Sequence, residues 1–181
     1  MTGHATRIRS LFDEIDNTPW GPQEQALVAQ AVALAQESGD ERLEYEARLR
    51  QTSSANMSGD TDLMLTSFAW CLAHHDADPE RFPATVEPAG DLLWQYKWMA
   101  SALGGSPEFS LDQIAAVLDD MEAHYERAGI GPSGVLMARF EDAWAAGRLD
   151  EATDLQRRLE ATPRDDYSHC DACVRSQFAG F

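Results

Sequence analysis

One spacing recurs along this chain and constrains its fold more than any other feature: an alanine is followed four residues later by a glycine, at the end of an apolar helical pattern. The three pairs are Ala55 and Gly59, Ala100 and Gly104, and Ala143 and Gly147, and the glycines lie 45 and 43 residues apart. Periods of this size are typical of stacked helical hairpins, each of which buries its apolar face only against its neighbours. The spacing therefore predicts an array of helix pairs with an extended binding surface.

Helix start and stop signals divide the chain further. Asp40, Asp60 and Ser110 stand as N-cap residues before apolar helical stripes, and Ser110 forms a capping box with Gln113. Residues 76–90 contain three prolines and predict a helix-free stretch, and no segment shows the alternation expected of a β-strand. We expect a single helical-repeat domain over residues 1–181, with hairpins at about 7–37, 40–76, 90–128 and 133–162 and a C-terminal helix from about 171.

The segment from Val135 to Pro163 resembles a tetratricopeptide repeat in its turn, GRLDEA from Gly147 to Ala152, in its closing proline and in the small Ala143. The resemblance implies an all-α fold, a right-handed superhelical array of antiparallel helix pairs forming a tetratricopeptide-like α-solenoid. It also implies that the first helix of each hairpin lines a concave surface. The groove positions would then fall on Leu49, Ser53, Trp94, Trp98, Met137, Glu141 and Trp144.

Composition narrows the class of partner. The formal net charge of −17 would repel nucleic-acid phosphates, and no window is long and apolar enough for a membrane span. The acidic N-terminal segment does not resemble a secretion signal, and three cysteines cannot build a disulfide framework. Lys97 is the only lysine, which favours a GC-rich bacterial genome. We expect a cytoplasmic bacterial protein that binds neither nucleic acid nor membrane.

One constellation has chemical character, the C-x-x-C pair Cys170 and Cys173 beside His169. No second pair completes a zinc shell, so we expect both cysteines to pack as small apolar residues at the start of a helix. His124 is predicted to lie on a solvated face. The chain contains no catalytic, phosphate-binding or dinucleotide motif. We therefore expect no enzymatic activity, no metal and no cofactor.

These observations predict a non-catalytic protein- or peptide-binding scaffold or regulatory adaptor with an aromatic and acidic groove, favouring a basic partner. One alternative is an acidic inhibitor or immunity-type protein that blocks a basic enzyme. A second is a metal or redox protein that uses Cys170 and Cys173. The apolar stripe of Cys173, Val174, Phe178 and Phe181 must be covered. We expect it to dock on the preceding helix in a monomer; the alternatives are pairing in a homodimer and continuation into a longer repeat array.

Overall fold

A computed structural model describes residues 3–104, 108–172 and 174–175. It is an all-α structure in which the described residues form eight helices and one two-stranded ladder. The helices are α1 (Gly3–Asp16), α2 (Pro22–Ser38), α3 (Glu41–Ser58), α4 (Thr61–Ala77), α5 (Leu92–Gly104), α6 (Leu111–Ala128), α7 (Ser133–Ala145) and α8 (Leu149–Ala161). The strands are β1 (Thr85–Val86) and β2 (Gly90–Asp91).

The chain forms two compact units, Met1–Met99 and Ala100–Phe181, whose boundary falls within α5. In the first unit α1 packs on α2, α2 on α3 and α3 on α4, while β2 also contacts α3. In the second unit α6 packs on α7 and α7 on α8. This packing of successive helices on one another within each unit is compatible with a helical repeat. A single domain of four hairpins stays a prediction.

Helix ends follow the local signals closely. Asp40 accepts a hydrogen bond from the backbone N–H of Leu43 at 3.2 Å, and Asp60 caps α4 in the same way. Both partners of the Ser110 capping box are in place at the start of α6. Gly59 ends α3 with φ of 75°, a left-handed conformation that glycine adopts at little cost. These capped ends confirm the predicted starts of α3, α4 and α6.

The segment between α4 and α5 contains an antiparallel ladder, so the expectation of no β-strand was wrong. Thr85 pairs with Asp91 and Val86 with Gly90. The Thr85 hydroxyl also donates to an Asp91 carboxylate oxygen at 2.7 Å. Strands of two residues are too short to show the alternation by which strands are recognised in sequence. The stretch is otherwise free of helix, as its prolines predicted.

Each unit has its own apolar core. In the first, Ile8, Leu11 and Phe12 of α1 pack against apolar residues of α2 and α3. In the second, Phe140 and Ala143 of α7 pack against α8. The alanines of the recurring spacing, Ala55, Ala100 and Ala143, are all buried, as the repeat predicts.

The predicted C-terminal stripe lies mostly outside the described residues, which include neither Cys173 nor residues 176–181. Val174 is described, and it packs against the α7–α8 core. Within the described part of the chain, every helix is too short or too polar to cross a bilayer.

Candidate functional site

Trp94 and Trp98 lie one turn apart on α5, and both are half-buried. The backbone N–H of Trp94 donates to Asp91 Oδ1 at 2.8 Å, which fixes the start of the helix. The Lys97 ammonium lies 3.1 Å from the centroid of the Trp94 ring, a cation–π contact made by the only lysine of the chain. One face of Trp94 is therefore covered from within the protein, while both tryptophans keep part of their surface exposed.

Glu141 and Trp144 lie on α7 in the second unit, and both are half-buried. Glu141 accepts a hydrogen bond from the Ser101 hydroxyl at 2.8 Å. Burial raises the pKa of Glu141, and the Ser101 hydrogen bond opposes that shift only in part. The Trp144 ring stacks on Phe140 with centroids 6.3 Å apart. The core thus holds one side of this ring in place.

Two of the predicted groove positions lie in the core instead of on a surface. Met137 is only 1% exposed and packs in the α7–α8 core. Leu49 is fully buried, and its carbonyl accepts a hydrogen bond from Gln95 Nε2 at 2.9 Å. Each residue lies on the face of its helix that a neighbouring element covers, and periodicity alone does not distinguish that face from a groove. Ser53, another predicted groove position, is half-buried.

The structure therefore brings the predicted residues together in two separate sets. Trp94 and Trp98 share α5 in the first unit, and Glu141 and Trp144 share α7 in the second. A groove that combines both sets stays a prediction.

Sequence reasoning missed a polar stripe on α3. Glu46, Arg50 and Ser54 are spaced by four residues, and all three are buried. Their partners come from the two preceding helices: Arg9 binds Glu46, Asp16 binds Arg50, and Glu24 accepts from Ser54. The spacing itself was the available signal, because residues four apart share one helix face.

The cysteine and histidine residues give a mixed outcome. Cys71 is buried, and burial raises the pKa of its thiol, whereas Cys170 is exposed. Its predicted partner Cys173 lies outside the described residues. His124 is buried, and its Nδ1 lies 2.8 Å from the carbonyl oxygen of Asp120. The expected solvated face was wrong at this position, because the side chain is only 4% exposed.

Among the described residues, no group of three or more histidine, cysteine or acidic side chains is arranged to hold a metal ion. Comparison of the chain with protein-family models, with curated proteins and with solved structures finds no match. The class that the fold defines is thus an all-α protein of neighbouring packed helices, compatible with a helical repeat.

Proposed function

We propose that this protein is a non-catalytic binding module of the tetratricopeptide-like solenoid type, and that it recognises a basic peptide or protein segment. The observation that carries the proposal is the half-burial of its tryptophans on α5 and α7. A tryptophan whose ring is anchored on one side and exposed on the other supplies contact area with little loss of side-chain entropy on binding. Met137, being buried, is not part of the proposed contact set.

Charge supports a basic partner. The chain carries 31 acidic against 14 basic residues, and such an excess accelerates encounter with a positively charged segment. Glu141 stands three residues from Trp144 on α7, so an acidic group and an aromatic ring lie on one helix. A lysine or arginine beside Glu141 would form an ion pair and contact the indole ring.

Selection of peptides from a random displayed library on the purified protein tests this function. The enriched peptides should carry an excess of lysine and arginine, and their affinity, measured by fluorescence anisotropy, should fall as salt is raised. Trp98→Ala and Trp144→Ala should each weaken binding by at least about 1 kcal/mol. Acidic or neutral consensus peptides, or unchanged affinity in both variants, would reject the proposal.

Trp70→Ala is the matched control, because Trp70 is also half-buried but was not among the predicted groove positions. Its ring stacks on His74 at a centroid distance of 3.5 Å and lies under Arg48. This variant should bind the selected peptides like the wild type. Thermal melts of all three variants distinguish a ring that packs in the core from one that contacts peptide. A loss of about 3–5 kcal/mol of stability in Trp98→Ala or Trp144→Ala would identify that ring as part of the core.

A further inference from the structure

A pocket of about 360 Å³ opens in the first unit, at the end of α1, the start of α2 and the middle of α3. Its lining includes Asp16, Trp20, Glu24, Arg50 and Pro88. None of these residues belongs to the tryptophan surfaces of α5 and α7. The volume falls within the range of roughly 300–1,000 Å³ that is typical of small-ligand sites.

Glu24 is the unusual group in this lining. It is only 2% exposed, and one carboxylate oxygen, Oε2, accepts a hydrogen bond from the Ser54 hydroxyl at 2.7 Å. The other oxygen, Oε1, is buried and has no hydrogen-bond partner among the described protein atoms. A buried carboxylate oxygen without a donor is costly, and a cation or N–H donor entering the pocket would remove that cost.

Arg50 does not serve as the missing partner, because its guanidinium is committed elsewhere. Its Nε and one terminal nitrogen donate to the two oxygens of Asp16 at 3.0 and 2.9 Å. The same guanidinium lies over the Phe12 ring, with its carbon 4.3 Å from the centroid. Asp16 and Arg50 thus neutralise each other, and Glu24 is the remaining charge among the lining residues.

Trp20 supplies the second recognition element. Its side chain lines the pocket and is 57% exposed, the indole ring of a connecting segment between α1 and α2. Pro19, Pro88 and Ala89 add apolar lining. A cation on an aliphatic stem matches both features, because the stem contacts apolar surface and the charge is attracted by the ring and by Glu24. An anion would be repelled by Glu24.

We propose that this pocket binds an organic cation, a primary ammonium or guanidinium group on an aliphatic chain, with the charged group at Glu24 and the stem beside Trp20. The cation can belong to a free amine or to a lysine or arginine side chain of another protein. The site is distinct from the proposed peptide contacts, since Trp94, Trp98, Glu141 and Trp144 do not line it. Of the predicted groove positions, Ser53 does line the pocket.

Isothermal titration calorimetry tests the site with two kinds of cation. Free amines are represented by cadaverine and agmatine, and side chains by lysine and arginine capped as N-acetyl, N-methylamide derivatives. Pentanol and capped norleucine are the neutral counterparts. At least one cation should bind and its neutral counterpart should not. Tighter binding of the free amines would identify a small-molecule ligand, and tighter binding of the capped amino acids a protein side chain; either result supports the cation site.

Three variants test whether the cation binds at Glu24 and Trp20. Glu24→Gln keeps the shape and can keep the Ser54 hydrogen bond, and it should weaken cation binding about tenfold or more by removing the charge. Trp20→Ala alters an exposed side chain, so the fold should persist, and affinity should fall about threefold or more. Glu37→Gln is the matched control: it makes the same change at an exposed position of the same helix and should leave affinity within about twofold.

Two results would overturn the proposal. One is the absence of binding by every cation at about 10 mM, a concentration at which even weak, fragment-sized ligands of a preformed pocket are detected. The other is wild-type affinity in either Glu24→Gln or Trp20→Ala. Trp98→Ala separates this site from the peptide-binding proposal, because it should leave cation affinity unchanged whether or not that variant loses peptide binding.

Discussion

Replacing Arg50 by alanine tests whether the buried polar stripe of α3 stabilises the first unit. Arg50 is 6% exposed, donates two hydrogen bonds to Asp16 and packs on the Phe12 ring. Removal of one member of a buried ion pair costs about 3–5 kcal/mol, mainly because the other charge stays behind unpaired. The Asp16 side chain is 28% exposed, so water can solvate its carboxylate once Arg50 is removed. The loss should therefore lie at the lower end of this range. We expect a loss of about 3 kcal/mol.

The assay is urea-induced unfolding followed by far-ultraviolet circular dichroism. Arg42→Ala is the matched control, since Arg42 is an exposed arginine of the same helix, and it should change the free energy of unfolding by no more than about 0.5 kcal/mol. A double-mutant cycle with Asp16→Asn isolates the pair and should give a coupling of at least about 1 kcal/mol. Equal losses in Arg50→Ala and Arg42→Ala, or additive effects in the cycle, would refute the reasoning.

Two further predictions concern the second unit. Ala143 is fully buried against α8, so Ala143→Leu should overpack the helix contact and cost about 1–3 kcal/mol in thermal melts. Ala145→Leu, at an exposed position of the same helix, should cause no such loss. Equal shifts in the two variants would contradict the placement of Ala143 at the helix contact. At Asp165, burial opposes ionisation, but hydrogen bonds outweigh it, among them the Gly131 N–H at 2.6 Å, and lower the pKa below its ordinary 3.8. The stabilisation is therefore present above pH 3.8 and lost as pH falls through the lower folded-state pKa. The free energy of unfolding should fall less steeply at acid pH in Asp165→Asn than in the wild type, whereas Asp166→Asn should show the wild-type dependence on pH. Identical profiles for the two variants would reject the assignment.

The helix ends were predictable because their causes are local. Asp40, Asp60 and Ser110 each accept a hydrogen bond from a backbone N–H three residues later, and that geometry depends on nothing outside the first helical turn. Gly59 similarly ends α3 by a conformation of its own backbone. Chain-local chemistry of this kind is visible in the sequence before any tertiary contact is known.

The surfaces were less predictable because they depend on which helix faces are covered. Met137 and Trp144 lie seven residues apart on α7, two turns along nearly the same face, yet Met137 is buried and Trp144 is half-exposed. α8 and Val174 pack against the core cluster that contains Met137. Sequence periodicity gives the direction of a side chain but not the extent of the neighbouring element, so a core position and a groove position share the same pattern.

Buried charges in proteins are normally paired, and the polar stripe of α3 follows this rule at two of its three positions but not at the third. Glu46 and Arg50 each receive an oppositely charged partner from α1, so both burials are compensated. The third position, Ser54, meets Glu24, where a neutral hydroxyl donates one hydrogen bond to a group with two acceptor oxygens. A sequence selected for stability alone would replace Glu24 by a neutral residue, because uncompensated buried polar groups weaken a fold. Departures of this kind are concentrated at functional sites, and this one lies in the wall of the pocket that Trp20 lines.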